Sequence, residues 1–318
     1  MISILIPIYN VDVRSLVAGL LAQLVEIGGE IICMDDGSKP AVLRLNAALA
    51  EWEGVRYSCL AANIGRSAIR NRLAEQARFD WFLFLDCDGS VAANPGLLAS
   101  YHRYMREGPV ICGGRSYAMR PPAARRYLLH WHYGRRREQL PAQVRMSDPW
   151  QGFQSNNFMI ARSCMERGGF DESIRGYGHE DTLFGFALAR RGDRVVHIDN
   201  PVEHIGLEDN ETFLRKTRQG IRNLWRLHEM GKQVPTRLWE AWSATRRWKL
   251  DRLLALAHPG LAPLLERQLS GRHPRLRLLD LYKLTYLAYW HHQGPAGHRK
   301  KAQTGTSFKH IQDENDSI

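Results

Sequence analysis

The chain has 318 residues, 44% apolar and 24% charged, which suits a soluble protein with one large α/β domain and an appendage. No apolar run approaches the ~18 residues of a membrane span, no signal peptide is expected, and five scattered cysteines exclude a disulfide framework or a zinc site. The net charge of +11 is uneven: residues 213–302 hold 19 Lys+Arg against 5 Asp+Glu, a net of +14, and ask for an anionic partner such as a membrane surface, nucleic acid or an acidic polymer.

Ile2–Ile8 reads as a first buried strand, with Pro7 near its end and Tyr9-Asn10 beyond it. Leu16–Leu24 recurs at helical spacing, Glu30–Met34 is a second strand, and Asp35-Asp36-Gly-Ser follows it. Leu43–Trp52 reads as a helix and Val55–Leu60 as a third strand. A loop through Asn63-Ile-Gly65 then leads to a helix over Ser67–Arg78, with Ser67 as N-cap. Trp81–Leu85 is a strand apolar on both faces, delivering Asp86 and Asp88 at its C-terminal end. Pro95–Arg106 predicts a helix capped by Asn94, and Val110–Cys112 a short strand. Residues 114–150 read as a long irregular loop, a lid or interaction element. Asn157–Ala161 returns to strand, Glu180-Asp181 opens a helix to Arg191, and Arg194–Ile198 is a strand. From Glu211 the pattern is helical. Leu214, Ile221 and Leu224 share one face, Trp239, Trp242, Leu250, Leu253 and Leu254 a second, and Leu276–Tyr289 a third. Strands alternating with helices predict a mainly parallel, doubly wound sheet.

Four features fall where such a sheet collects a ligand. Asp35-Asp36-Gly-Ser is either a nucleoside reader or a simple turn. Asn63-Ile-Gly65-Arg66, opening a helix that carries Arg70, makes an anion site or leaves solvated arginines. Asp86-Cys-Asp88 offers paired hard oxygens suited to Mg²⁺ or Mn²⁺ beside a phosphate. Glu180-Asp181 at a helix start is favoured by the helix dipole whatever its role.

Together these features resemble family 2 glycosyltransferases of the GT-A fold. The opening Ser-Ile-Leu-Ile-Pro-Ile-Tyr-Asn is similar to that family's first strand. Asp35-Asp36-Gly-Ser resembles its nucleotide-binding second strand, and Asn63-Ile-Gly65-Arg-Ser-Ala-Ile-Arg70-Asn its Asn-x-Gly-x-x-x-Ala-Arg-Asn stretch. Asp86-Cys-Asp88 matches the DxD motif. Gly176-Tyr-Gly-His-Glu180-Asp181 resembles the Gly-x-Gly-x-Glu-Asp motif of the galactosyl- and N-acetylgalactosaminyltransferase-like branch. The resemblance implies a mainly parallel mixed sheet with helices on both faces, plus a C-terminal helical extension. It implies a catalytic domain over 1–230, with 1–113 the nucleotide-binding half and 114–230 the acceptor and base half. A basic helical extension over 231–292 and a disordered tail over 293–318 complete the expected organisation. A UDP-sugar would meet Pro7, Tyr9, Asp35 and Asp36 with its nucleoside, and Asn63, Gly65 and Arg70 with its diphosphate. Mn²⁺ or Mg²⁺ would sit on Asp88 and His204, with Asp86 contacting the ribose or the metal through water. Asn156 and Asn157 would meet the donor. Asp181 would be the base of an inverting transfer and Glu180 a reader of donor or acceptor hydroxyls, while Trp150 and Tyr177 would stack on sugar rings.

Phe-Leu-Asp86-Cys-Asp88-Gly-Ser also resembles the motif of haloacid-dehalogenase-type phosphatases, with Asp86 as nucleophile, although three strands precede it here. A non-enzymatic membrane-surface adaptor would account for the basic segment but not for the N-terminal acids. The expected acceptor is a saccharide or lipid-linked saccharide, with no nucleic acid. The expected place is the cytoplasm, with the Trp- and Arg-rich Pro235–Leu254 lying on the inner face of an anionic membrane or merely capping the domain.

Overall fold

The computed structural model of the protein describes residues 1–293 apart from Arg175, Tyr177 and Gln233. The strands are β1 (Ile2–Ile8), β2 (Gly29–Asp35), β3 (Val55–Cys59), β4 (Trp81–Leu85), β5 (Gly89–Ser90), β6 (Val110–Cys112), β7 (Arg115–Ser116), β8 (Asn157–Ala161), β9 (Val195–His197) and β10 (Val202–His204). The helices are α1 (Arg14–Ile27), α2 (Pro40–Asn46), α3 (Arg66–Gln76), α4 (Leu97–Tyr104), α5 (Leu128–Tyr133), α6 (Ala142–Arg145), α7 (Arg162–Glu166), α8 (Glu180–Arg191), α9 (Asn210–Glu229), α10 (Arg237–Arg247), α11 (Asp251–Leu269) and α12 (Leu276–Gln293). The chain divides into two compact units, one of residues 1–234 with 270–274 and the other of 235–269 with the segment from Arg275 onward.

In the first unit a seven-stranded sheet runs in the order β3-β2-β1-β4-β8-β6-β9. β1 pairs in parallel with β2 and β4, while β8 is antiparallel to both β4 and β6. Alternation along the strands feeds two cores. Ile2, Ile4 and Ile6 of β1 and Leu83 and Leu85 of β4 meet α1 and α4 on one face. Leu5, Phe82 and Phe84 meet α3, α7 and α8 on the other, where Phe84 stacks on Phe158 at 4.9 Å and Phe170 on Phe184 at 4.1 Å. The mainly parallel sheet covered on both faces is therefore as expected.

Several local expectations need correction. The helix expected over Leu43–Trp52 starts earlier, at Pro40, and gives way to a 3₁₀ turn at Ala47. Gly65, not Ser67, precedes α3, and Gly96, not Asn94, precedes α4. Residues 114–150 are folded rather than irregular: they hold β7, α5, a π-helical turn and α6. Arg145 pins this stretch from inside. Its buried guanidinium donates to the carbonyls of Leu140, Cys112 and Ile198 at 3.1, 3.1 and 2.8 Å.

β5, β10 and β7 form a second, three-stranded sheet. Strands of two or three residues are too short for a sequence pattern to reveal, yet they place the site. β10 pairs antiparallel with β5, setting His204 opposite Gly89, and parallel with β7, setting Val202 opposite Arg115.

In the second unit α10, α11 and α12 pack around Trp242, Leu265, Leu279 and Leu287. The single stripe expected from Trp239 to Leu254 is broken. Lys249 takes a left-handed conformation between two helices, so the tryptophans of α10 turn inward while Leu250 and Leu253 lie in solvent. Gln293 closes α12, and the rest of the expected disordered tail lies outside the described residues. No described helix is long and apolar enough to cross a membrane.

Candidate active site

β1 sends its connection to one side and β4 lies on the other, so the crevice beyond their C-terminal ends is the switch point of the sheet. Pro7 lies half-buried in β1 and Tyr9 is exposed just past it. Asp35 ends β2. Its Oδ1 accepts the Ser38 N–H at 2.7 Å, while its Oδ2 is buried with no protein partner. Asp36 is occupied differently from the nucleoside-reading role expected of it. Its carboxylate accepts the N–H groups of Ile64 and Gly65 at 2.7 and 3.1 Å, and its carbonyl accepts from Asn63. Asp36 thereby staples the loop that opens α3. Gly37 is required at this contact: with φ at +73° it lies so close that a Cβ would come within 2.9 Å of the Ala62–Asn63 backbone.

The two acids after β4 part company. Asp86 meets Arg70, itself almost fully buried, at 2.7 Å, with Arg66 at 3.6 Å and Arg115 at 3.7 Å. Asp86, expected to contact the ribose or the metal through water, is thus engaged by three arginines, and Asp88 is the freer of the two acids. Asp88 stands next to β5, and the β5–β10 pairing brings His204 Nδ1 to 3.3 Å from its Oδ1. Burial works to raise the Asp88 carboxyl, but the His204 hydrogen bond and charge, with Arg115 and Arg66, hold it below the usual carboxylate range. His204 Nε2 is buried without a protein partner. Asp88 and His204 thus offer one hard oxygen and one imidazole nitrogen side by side, a donor pair that could hold a divalent cation.

Glu180 and Asp181 open α8. Glu180 is buried and takes Arg66 Nε at 2.7 Å, leaving its Oε2 with no partner. Asp181 accepts the Ser155 hydroxyl at 2.5 Å and the Ser155 N–H at 3.3 Å. Burial, then the neighbouring Glu180, push the Asp181 carboxyl up, against the pull of Arg70, Arg66 and the Ser155 hydroxyl. Arg66 touches both Asp86 and Glu180, so the end of β4 and the start of α8 face one crevice.

The sequence profile of Glycosyl transferase family 2 matches residues 3–165, half of the chain. The chain belongs to glycosyl transferase family 2. Among solved structures this glycosyltransferase is similar to the mannosyltransferase PcManGT from Pyrobaculum calidifontis, in complex with GDP-Man and Mn²⁺. That likeness has 13% identity, a TM-score of 0.58, and coverage of 92% of this chain and 86% of that one. It is also similar to S. aureus TarS, at 15% identity and a TM-score of 0.52, over 91% of this chain and 55% of that one, so it spans about half of that relative. At these identities the likeness establishes the fold, which is GT-A. No curated protein sequence matches the chain.

Other expected site residues of the transferase turn out to be structural. Asn157 is spent in the interior: it accepts the Tyr101 hydroxyl at 2.7 Å and donates to the carbonyls of Gly114 and Asn200, both at 2.9 Å. Trp150 packs against the phenylalanine core and gives its indole N–H to the Asp193 carbonyl at 3.1 Å, so it is no free sugar platform. Asn156 keeps a buried Oδ1 without a partner, beside the Asp86 backbone that its carbonyl accepts from. Tyr177 lies outside the described residues.

The crevice of the transferase also holds residues that no motif marked. Arg115 bonds Glu138 at 3.1 Å, and Glu138 also takes the Tyr117 hydroxyl. Burial would raise Glu138, but Arg115 and Tyr117 hold it ionised. His130 packs 5.3 Å from the His204 ring and accepts the Glu208 N–H on Nδ1; burial pushes it down to about 4, so it is neutral. The folded 114–150 stretch therefore walls the crevice. Its only sequence signal was that a loop so long and aromatic needs a reason to exist.

Proposed function

We propose that this glycosyltransferase is inverting and metal-dependent, moving a sugar from a UDP donor to a saccharide or lipid-linked saccharide acceptor. The observation that carries the reading is Arg66, which joins Asp86, two residues before Asp88, to Glu180, the neighbour of Asp181, and so draws the end of β4 and the start of α8 onto one crevice. Asp88 and His204 would hold Mn²⁺ or Mg²⁺ through Oδ1 and Nδ1, the hard oxygen and imidazole nitrogen that face each other at 3.3 Å and suit such an ion. When bound, the ion supplies Lewis-acid stabilisation of the leaving nucleoside diphosphate. Arg70, Arg66 and Arg115 line the path for the diphosphate. Asp35 Oδ2 and Tyr9 wait at the strand ends for the nucleoside. Asp181 takes the proton of the attacking hydroxyl, and Glu180 Oε2 reads a neighbouring hydroxyl. A single base on the face opposite the diphosphate gives inversion. The basic C-terminal helices would bring the enzyme to the inner face of an anionic membrane.

UDP is expected to raise the melting temperature in the presence of Mn²⁺ and to lose that effect with a chelator. Stabilisation indifferent to chelation would overturn the metal role, and a stronger response to GDP would overturn the choice of nucleotide. A second expectation arises at Gly206, where a Cβ would fall 2.7 Å from Asp88 Cβ and 2.9 Å from its Oδ2. Gly206→Ala should push Asp88 off His204 and raise the Mn²⁺ concentration needed for half-maximal activity by about tenfold or more, at some cost in melting temperature because the contact is with Asp88 Cβ. Unchanged Mn²⁺ titration of activity would show that Asp88 does not set metal affinity.

A further inference from the structure

Helix α11 of the second unit is amphipathic in an unusual sense. Its inward face is Asp251, Ala255, His258, Leu265 and Leu269, all buried against its own bundle. The opposite, exposed face carries Leu253, Leu256, Pro259, Gly260, Pro263 and Leu264 in succession. Leu253, Leu256 and Leu264 are 64%, 75% and 65% exposed. A helix facing water puts charges on that side. Here the apolar strip runs unbroken over ~17 Å at 1.5 Å per residue. Its ends are basic, Arg252 at one and Arg267 at the other, and just before it the corner Arg246-Arg247-Trp248-Lys249-Leu250 is wholly exposed, with Trp248 at 76%. Neither acid of the helix reaches that face: Asp251 pairs with His292 at 2.9 Å and Glu266 takes the Tyr282 hydroxyl at 2.6 Å.

We infer that this face of α11, with the Arg246–Leu250 corner, lies in the headgroup layer of an anionic bilayer and is the element that holds the transferase there. The inference rests on the membrane reading under the proposed function and moves the contact from the tryptophan-rich α10 to α11. Trp242 of α10 is buried and Trp239 packs on it at 4.6 Å, so α10 is committed to the bundle and α11 carries the free surface. Charge decides the occupant. Leucines and prolines enter the acyl boundary, Trp248 sits at its edge, and the flanking arginines and Lys249 meet lipid phosphates. A second copy is the poorer match, because antiparallel pairing of two such strips would set Arg252 of each against Arg267 of the other. Nucleic acid would answer the arginines but leave the strip exposed to water.

The test is co-sedimentation of the full chain with vesicles of equal parts phosphatidylglycerol and phosphatidylcholine, against phosphatidylcholine alone. Wild type should bind the anionic vesicles, less so in high salt, with a blue shift of tryptophan emission that Trp248→Phe removes. Leu256→Gln with Leu264→Gln should weaken binding at least about tenfold, and Arg252→Gln with Arg267→Gln should weaken it and flatten its salt dependence. These positions are exposed, so UDP-induced thermal stabilisation should be unchanged in every variant. That readout separates the two readings: loss of UDP response in wild type sinks the catalytic proposal and leaves the vesicle result standing. Wild type that ignores anionic vesicles overturns the inference, as does a leucine variant that binds like wild type. A dimer in analytical ultracentrifugation that the leucine changes split would assign the strip to a second copy and overturn it equally.

Discussion

Asp181→Asn should cost about three orders of magnitude in transfer rate while leaving UDP binding intact, because general-base catalysis is worth roughly 10²–10⁴ and the side chain touches no donor-binding arginine directly. Asparagine keeps an acceptor for the Ser155 hydroxyl and the side-chain volume, so the loss falls on kcat and not on folding. The pH profile adds an independent check. The Asp181 carboxyl is raised above its ordinary 3.8, by burial first and by Glu180 second, so the acid limb of kcat/KM should lie above that value. Ser155→Ala removes a hydrogen bond that lowers it and should move the limb further up. The sign for stability runs the other way. A raised carboxyl binds its proton more tightly in the folded chain than in the unfolded one, so ionising it costs stability as pH climbs through the ordinary value toward the raised one. At neutral pH Asp181→Asn should therefore melt no lower than wild type. A variant that kept full transfer would remove Asp181 from the base role, and one that lost transfer by unfolding would fail the melting test.

The sheet was legible because each long strand announces itself. Ile2–Ile8 and Trp81–Leu85 are apolar on both faces, as a strand covered by helices on each side must be. The acids at the strand ends were legible for the same reason, since a charged pair has no place inside such a run and marks where the strand leaves the sheet. What the residues did not announce was how those acids divide their work. Asp36 looks like a free carboxylate until the Asn63 loop folds over it, and Asp86 looks like the twin of Asp88 until Arg70 and Arg66, one turn apart on α3, arrive from behind. Arg115 and Glu138 were invisible because their pairing depends on β7 and a π-helical turn, neither long enough to leave a period in the sequence. The C-terminal helices misled in a related way. A tryptophan stripe and a leucine stripe read as one face, and only the break at Lys249 shows that the first turns inward and the second outward.

Asp88→Asn should lower kcat/KM by about 10²–10³-fold, roughly 3–4 kcal/mol of transition-state stabilisation, with the remaining rate equal to that of wild type under chelator. The carboxylate is the anionic member of the donor pair: burial opposes its charge, yet His204, Arg115 and Arg66 keep it ionised through the assay range. Removing that charge leaves an amide oxygen beside the imidazole, which attracts a divalent ion far less. His204→Gln should cost less, because it removes the imidazole nitrogen and spares the carboxylate. The double variant should be little worse than Asp88→Asn alone, since two ligands of one ion act as a unit and their losses do not add. Asp86→Asn makes the contrast. Asp86 is held by Arg70, Arg66 and Arg115, so its loss should unbalance the diphosphate path and change KM for the donor, while the Mn²⁺ requirement stays. If Asp88→Asn kept its response to Mn²⁺ and Asp86→Asn lost it, the division of labour between the two aspartates would be reversed, and the three-arginine cluster would have to open when the ion binds.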